Sequence, residues 1–173
     1  MKNMTGNFFL TGLPGAGKSS LGKHLAERSG YDFIDADKFL VNKSGVDIPT
    51  IFAMEGEEGF RAREEKVIDE LTQRQNIVLA TGGGAVISER NRHYLRSRGY
   101  VIYLHTQPEI LFERTKYDRS RPLLQVKDSL SRLKELYMVR DPLYRQIADD
   151  ILEVGEQSLS QLVAQFFSQT GLK

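Results

Sequence analysis

Residues 7–19 of this 173-residue chain read Asn-Phe-Phe-Leu-Thr-Gly-Leu-Pro-Gly-Ala-Gly-Lys-Ser, and this stretch decides the fold. The apolar run Asn7–Thr11 predicts a buried strand, and Gly12–Ser19 matches the pattern G-x-x-x-x-G-K-[ST] before a helical pattern. Glycines let backbone N–H groups approach phosphate oxygens, and the N-terminal end of the following helix attracts anions. The stretch therefore predicts a triphosphate site, with Lys18 on the β- and γ-phosphates and the Ser19 hydroxyl on Mg²⁺.

Four further apolar runs alternate with helical patterns along the chain. The predicted strands are Asn7–Thr11, Asp32–Asp35, Ile77–Thr81, Tyr100–Leu104 and Asp150–Val154. The predicted helices are Lys18–Arg28, Glu57–Arg74, Ser158–Ser168 and one opened by a capping box of Thr106 and Glu109. Continuous apolar strands joined by helices are typical of a parallel sheet buried on both faces. We therefore expect an α/β fold, a three-layer α/β/α sandwich with a five-stranded parallel sheet, formed by residues 1–173 as a single domain.

The composition narrows the function classes. Hydrophobic residues make up 40% of the chain and the formal net charge is +1, so the protein lacks the basic field of a nucleic-acid binder. Cysteine is absent, which excludes disulfides and thiolate metal sites. No apolar run approaches the roughly 18 residues that span a bilayer. We therefore expect a cytoplasmic protein that binds neither nucleic acid nor membrane.

Two predicted strands end in residues suited to a ligand site. Residues two apart in a strand share a face, so Asp35 and Asp37 are expected to point into the crevice beside the phosphate loop, where carboxylates can hold a metal and orient a hydroxyl. The alternative for Asp37 is a helix N-cap. Neither the third nor the fourth strand ends in an Asp, which leaves Asp35 as the Mg²⁺ carboxylate. Gly82–Gly84 suggests close approach of a ligand or another backbone, and a simple loop is the alternative.

Further candidates are basic. Arg61 and Glu64 stand at i,i+3 on a predicted helix, so Glu64 can brace the guanidinium. Basic residues crowd the stretch from Arg114 to Arg145, and we expect most of them on a solvated helical face. The segment Tyr117–Gln125 is basic and irregular, which predicts a closing lid or, alternatively, a loop with solvated charges. The three histidines do not cluster, and we interpret them as surface or packing residues.

Together these residues resemble the shikimate kinases, within the nucleoside monophosphate kinase-like P-loop folds. The matched segments keep their order and approximate spacing over nearly the whole chain: Gly12–Ser19, Asp35–Asp37, Ile51-Phe52, Gly56-Glu57, Phe60-Arg61, Thr81–Gly84, Arg121–Leu124 and Arg140–Tyr144. The chain departs from the usual pattern at Leu13-Pro14 and Ser20, and its match around Glu153–Gln157 is weak.

The resemblance implies transfer of the ATP γ-phosphate to the 3-hydroxyl of shikimate, with Mg²⁺, in aromatic amino-acid biosynthesis. Asp37 would act on the 3-hydroxyl, Arg61 and Arg140 would clamp the carboxylate, and Lys18 and Arg121 would hold the moving phosphoryl group. The implied ATP-binding residues are Gly12, Gly15, Ala16, Gly17, Lys18, Ser19, Ser20, Arg114, Arg121 and Gln157. The remaining implied ligands are Gly82, Gly83 and Gly84 for the substrate, and Ser19 and Asp35 for the metal. The substrate-binding helical region would span residues 36–64, and the lid residues 117–125.

Two other functions stay open from the sequence. One is a related kinase of another polyol acid such as gluconate, although two arginines poised for one carboxylate favour shikimate. The other is a catalytically silent kinase-like binding module, which is expected to lose Lys18, Asp37 or Arg121, and all three residues are present. The expected partners are ATP and shikimate alone, and we expect a monomer.

Overall fold

The computed structural model describes residues 6–116 and 128–171 of the chain. Five parallel strands form one sheet in the order β2-β3-β1-β4-β5. The strands are β1 (Phe8–Thr11), β2 (Asp32–Asp35), β3 (Ile77–Ala80), β4 (Tyr100–His105) and β5 (Asp150–Glu153). The prediction of an α/β fold with a five-stranded parallel sheet is confirmed, and each predicted strand end lies within one residue of its observed position.

Helices cover both faces of the sheet. They are α1 (Lys18–Ser29), α2 (Ala36–Ser44), α3 (Ile48–Thr72), α4 (Glu89–Arg98), α5 (Pro108–Thr115), α6 (Ser129–Ile147) and α7 (Leu159–Thr170). The connection from β1 to β2 crosses the sheet in one direction, and the later connections cross it in the other. Because parallel crossovers are right-handed, the two directions put their helices on opposite faces. Accordingly α1 contacts α7, while α3, α4 and α6 contact one another in turn.

The same reversal positions the site. The connections that leave β1 and β3, two strands that lie side by side, cross the sheet in opposite directions. In open α/β sheets a crevice forms at such a point, beyond the carboxyl ends of the strands. The phosphate loop follows β1 and the triple glycine follows β3, so both segments open into this crevice. The strands beneath them, with Phe9, Leu10, Val78 and Leu79, are fully buried and hold both loops on a rigid base.

The helix ends show where sequence patterns succeed and fail. Ser158 and Gln161 form a capping box at the start of α7. The predicted capping box of Thr106 and Glu109 is wrong, because α5 begins at Pro108 with Gln107 as its N-cap residue and without a side-chain cap. Proline fits the first helical position, where its missing N–H costs no hydrogen bond. The Thr106 hydroxyl is instead buried and has no partner among the described residues.

Helix α3 is longer than predicted and is broken. It begins at Ile48 rather than Glu57, and the Asp47 side chain caps its N-terminus by accepting from the Thr50 N–H. At Gly56 the backbone leaves helical geometry, with φ 73° and ψ −178°. This region is open essentially to glycine alone, so Gly56 permits the break. The segment after the break starts at Glu57, as predicted, and carries Arg61 and Glu64. Within the described part of the chain, no helix combines the length and apolar character needed to cross a membrane.

Candidate functional site

The phosphate loop has the geometry of an anion cradle. Gly17 is the N-cap residue of α1 and adopts φ 97°, a left-handed conformation that glycine reaches without steric cost. The Lys18 ammonium folds back over the loop, with Nζ 2.6 Å from the Gly12 carbonyl oxygen and 3.0 Å from that of Leu13. A cation and a helix N-terminus thus meet at one loop, which suits the polyphosphate of a nucleotide.

Asp35 and Ser19 meet beside this loop. The Ser19 hydroxyl donates to Asp35 Oδ2 at 2.9 Å, and Asp35 Oδ1 accepts from the Lys38 N–H at 3.1 Å. Asp35 is therefore the N-cap residue of α2, so the alternative that Asp37 is the cap is wrong. The extended geometry ends at Asp35 because its side chain starts the helix. Asp37 lies in the first turn of α2, and it lines the cavity as Asp35 does.

The triple glycine lies in a position that leaves no room for side chains. A Cβ on Gly82 would lie 2.8 Å from Asp37 Oδ1 and 2.9 Å from Glu64 Oε2. A Cβ on Gly83 would lie 2.8 Å from Pro14 Cδ and 3.4 Å from Arg140 Nη1. Any Cβ on Gly84 would overlap the Arg61 guanidinium, with Nη1 at 2.5 Å. Each glycine therefore lies against side chains of other segments, and close approach of a ligand stays a prediction.

Arg61 and Glu64 form the predicted pair. Arg61 Nη1 donates to Glu64 Oε1 at 2.9 Å, and Nη2 makes a longer contact of 3.4 Å with Glu57. Arg61 Nε is buried without an acceptor among the described residues. The Arg61 side chain keeps 19% of its surface exposed and lines the cavity, so its terminal N–H groups can reach an anionic ligand there.

Glu64 is more deeply buried than expected for a residue that supports Arg61 from the protein surface. Its side chain is 5% exposed. Burial raises the pKa of Glu64 to about 7, with a further upward contribution from the negative charge of Asp37, while Arg61 and Arg140 lower it. Sequence reasoning gave Glu64 only the role of supporting Arg61. The available signal was its position among Phe60, Val67 and Ile68 on the apolar face of α3.

Arg140 is the most buried cation described, at 2% exposure, on α6. Burial lowers its pKa, and the neighbouring Tyr144 opposes that shift. Tyr144, one turn further along α6, donates its hydroxyl proton to the Gly83 carbonyl oxygen. Burial also raises the pKa of Tyr144, which keeps it a donor. Helix α6 therefore brings a cation to the cavity and fixes the triple glycine from the same face.

One cavity joins most of the predicted site residues. Phe52 and Phe60, with ring centroids 4.9 Å apart, and Ile48 add an apolar wall that the sequence analysis did not assign. The predicted residues in its lining are Lys18, Ser19, Asp35, Asp37, Arg61, Gly82, Gly83, Gly84 and Arg140. The cavity thus combines the phosphate loop, carboxylates, two arginines and an apolar wall, a combination suited to a small anionic ligand next to a nucleotide.

The predicted adenosine residues, Arg114 and Gln157, lie apart from this cavity, and both form a hydrogen bond with the backbone of Gly155. Arg114 Nη2 donates to the Gly155 carbonyl oxygen at 2.7 Å. Gln157 Oε1 accepts from the Gly155 N–H at 2.6 Å, and its Nε2 donates to the Glu153 carbonyl oxygen at 2.9 Å. Ser20 is exposed in the first turn of α1. The predicted lid, residues 117–125 with Arg119 and Arg121, lies outside the described residues.

Comparisons with known proteins show which family the chain is similar to. The family model for shikimate kinase matches residues 14–170. The shikimate kinase of Neisseria meningitidis serogroup C (strain 053442) is 54% identical over 153 residues, which cover 88% of this chain and 90% of the relative. The structure of shikimate kinase from Acinetobacter baumannii in complex with shikimate has a TM-score of 0.91 and 44% identity, covering 98% of this chain and 96% of that one. A gluconokinase from Sinorhizobium meliloti has a TM-score of 0.64 at 19% identity, a likeness of fold alone.

Proposed function

Because the chain belongs to the shikimate kinase family, we propose that it transfers the γ-phosphate of ATP to the 3-hydroxyl of shikimate, yielding shikimate 3-phosphate and ADP. The family consists of ATP-dependent phosphotransferases of the shikimate pathway. The observation that carries the proposal is the single cavity in which Lys18 and Ser19 of the phosphate loop face Asp37, Arg61 and Arg140. A phosphate donor and a hydroxylated acid can therefore be held next to each other.

Arg61 and Arg140 are proposed to hold the substrate carboxylate. Both guanidinium groups line the cavity, and they come from different helices, α3 and α6. Arg61 Nε lacks an acceptor among the described residues. A guanidinium pairs with a carboxylate through two parallel hydrogen bonds, which fixes orientation as well as position. Clamping the carboxylate in this way would direct the ring hydroxyls toward Asp37 and the glycines Gly82, Gly83 and Gly84.

Asp37 is proposed to orient the 3-hydroxyl and accept its proton. In the transfer step the hydroxyl oxygen forms the bond to the γ-phosphorus, the bond from that phosphorus to the bridging oxygen breaks, and ADP leaves. Lys18 would stabilise charge on the moving phosphoryl group, since phosphoryl transfer depends chiefly on positioning and electrostatics. Arg121 is proposed to join Lys18 there when the lid, residues 117–125, closes over the site.

Ser19 and Asp35 fit a Mg²⁺ ion that accompanies ATP. Their side-chain oxygens lie 2.9 Å apart at the phosphate loop, and Mg²⁺ prefers oxygen ligands while taking few of them from the protein. The described residues contain no group of three or more His, Asp or Glu side chains arranged for a metal. When bound, Mg²⁺ neutralises charge on the β- and γ-phosphates. The remaining nucleotide contacts are proposed for Gly12, Gly15, Ala16, Gly17 and Ser20, with Arg114 and Gln157 near the adenosine.

A coupled assay of ADP release tests the proposal. Purified protein with ATP and Mg²⁺ is given shikimate, gluconate or no acid. We expect ADP release that depends on shikimate and a phosphorylated product at the 3-position, identified by NMR. Faster ADP release with gluconate would overturn the choice of substrate, and no release with either acid would favour a silent binding module.

The remaining properties of the molecule are also proposals. We propose a single domain over residues 1–173, acting as a monomer in the cytoplasm, with ATP and shikimate as its only partners. The continuous core shared by both helical layers supports a single folding unit. Sedimentation at micromolar concentration would test the monomer.

A further inference from the structure

Glu64 is a buried carboxylate inside the cavity proposed to receive another carboxylate. Its Oε1 accepts from Arg61, while Oε2 faces the triple glycine, 2.9 Å from the point that a Cβ on Gly82 would occupy. Asp37 Oδ1 lies 2.8 Å from that same point. Two carboxylates thus approach the same glycine from opposite elements, α3 and α2. Burial raises the pKa of Glu64 to about 7, so near neutral pH this group is divided between its two protonation states.

When Glu64 is ionised, the charged side chains of the cavity balance before an acid binds. Among the described residues that line it, the cations are Lys18, Arg61 and Arg140 and the carboxylates are Asp35, Asp37 and Glu64. The groups that act on Glu64 are Arg61 on its own helix, Asp37 on α2, and Arg140 and Tyr144 on α6. A substrate carboxylate seated on the two arginines brings one further negative charge into this low-dielectric space. It also draws on the same guanidinium, Arg61, that holds Glu64 in its ionised form.

We propose that Glu64 takes up one proton from solvent when the acid substrate binds, so that the arginines are released to the substrate carboxylate. This inference rests on the proposed function. Glu64 is the group suited to this task, because it is the buried carboxylate that pairs with Arg61, whereas Asp35 caps α2 and binds Ser19. Asp37 must stay ionised to accept the hydroxyl proton. Glu64 thus acts as a positioning residue that sets the charge of the site for an anionic acid.

Proton linkage predicts how binding depends on pH. At a pH above about 7 the free protein holds Glu64 mostly ionised, so binding requires proton uptake, and the affinity for shikimate falls by up to about tenfold per pH unit. At pH 5.5 Glu64 is already mostly protonated in the free protein, so substrate binding takes up only a small fraction of a proton. The shikimate carboxylate and the arginines keep their charge over this range, so they add no such dependence.

Isothermal titration calorimetry of the full chain with shikimate measures the uptake directly. At pH 7.5, titrations in buffers with different ionisation enthalpies give the number of protons taken up per shikimate bound. We expect more than half a proton for the wild type and close to none at pH 5.5. We expect close to none for Glu64→Gln at either pH. The matched control Glu58→Gln, an exposed carboxylate on the same helix, should behave as wild type.

The outcomes separate this inference from the proposed function. If shikimate does not bind the wild type, the proposed function fails. If shikimate binds the wild type at pH 7.5 without proton uptake, the inference is overturned and the function stands; this reading needs no variant to fold. If Glu64→Gln keeps the uptake, another group carries the proton and the assignment to Glu64 is overturned. Loss of the uptake with an uncharged amide of shikimate would support the charge-balance argument, and full uptake with that amide would contradict it.

Discussion

The Ser19 hydroxyl and the Asp35 carboxylate are joined by a 2.9 Å hydrogen bond, which connects the start of α1, directly after the phosphate loop, to the N-cap residue of α2. One oxygen of Asp35 starts a helix while the other faces the nucleotide end of the cavity. A single side chain therefore fixes backbone geometry and offers a metal ligand, and the two tasks can be separated by mutation.

Asp35→Asn should raise the Mg²⁺ concentration needed for half-maximal activity by about tenfold or more, with little loss of thermal stability. The amide oxygen can still accept from the Lys38 N–H, since asparagine is as good a cap as aspartate, but the charge that attracts the cation is gone. Activity measured against Mg²⁺ at fixed ATP gives the shift. Asp47→Asn changes the equivalent cap of α3 outside the cavity and should leave the Mg²⁺ dependence unchanged. An unchanged Mg²⁺ dependence in Asp35→Asn would remove it from the metal site.

Lys18→Met should reduce turnover by at least about a hundredfold while the melting temperature stays close to wild type. The Lys18 ammonium contacts two loop carbonyls and lines the cavity, and its removal is expected to take away charge stabilisation of the phosphoryl group. Lys23→Met, an exposed position on the same helix, is the control. A folded Lys18→Met protein with near wild-type turnover would contradict the assignment of the loop.

Asp37→Asn should lower kcat by about 10²–10⁴-fold, the usual effect of removing a general base, with a much smaller change in the KM for ATP. The amide keeps the size of the side chain next to Gly82 but cannot take the hydroxyl proton. Steady-state kinetics with each substrate varied in turn separate the two parameters. If the main effect fell on ATP or Mg²⁺, Asp37 would belong to the nucleotide site.

Arg61→Lys should raise the KM for shikimate by about tenfold or more and leave the KM for ATP nearly unchanged. Lysine offers a point charge in place of two parallel donors, so the carboxylate loses its fixed orientation. The control is Arg63→Lys, since Arg63 lies on the same helix, pairs with Glu55 and stays outside the cavity. An uncharged amide of shikimate should lose most of its affinity for wild type and much less for Arg61→Lys. Equal losses in the two proteins would show that Arg61 is not the carboxylate partner.

Glu64→Gln should make the ligand-free protein more stable relative to wild type as the pH rises from about 5 to 8. The folded pKa of Glu64, about 7, lies above its ordinary 4.5, so over this interval the folded state binds more protons than the unfolded state. Wild-type stability therefore falls with rising pH through this group, by about 2.5 kcal/mol in the free energy of unfolding over the interval. Glutamine does not titrate, so the Glu64→Gln protein does not lose stability through this position as the pH rises.

Denaturant unfolding of both proteins at several pH values measures that difference. Glu58→Gln on the exposed face of the same helix provides the comparison, and its difference from wild type should stay flat. A constant difference between Glu64→Gln and wild type at all pH values would mean that Glu64 does not change its protonation in this range.

Much of the architecture was predictable because its determinants are local. The apolar runs, the glycine pattern of residues 12–19 and the i,i+3 spacing of Arg61 and Glu64 correspond to elements and contacts that the structure contains. The resemblance to shikimate kinases is confirmed by the family match. Thr106 failed as a cap because Pro108, two residues further on, fixes where α5 begins.

What the sequence did not reveal depends on long-range packing. The raised pKa of Glu64 results from burial and from the negative charge of Asp37 on α2, and the spacing on α3 indicates a buried face but not that charged neighbour. The wall formed by Ile48, Phe52 and Phe60 required the early start of α3 and its break at Gly56. Asp35 rather than Asp37 caps α2, because Asp35 is the last residue with extended backbone angles before the helix begins.

The triple glycine also restricts how this protein can change over generations. Each of its three positions abuts a different partner, and those partners come from four separate parts of the chain: Pro14, Asp37, Arg61 with Glu64, and Arg140. A mutation that adds a side chain at one glycine is tolerated only if the residue next to it is replaced by a smaller one or moves away in the same lineage. Because three of those neighbours, Asp37, Arg61 and Arg140, are themselves proposed to bind the substrate, paired changes with them would alter recognition. The loop should therefore evolve slowly. A lineage whose substrate preference has changed is expected to carry substitutions at residues 82–84.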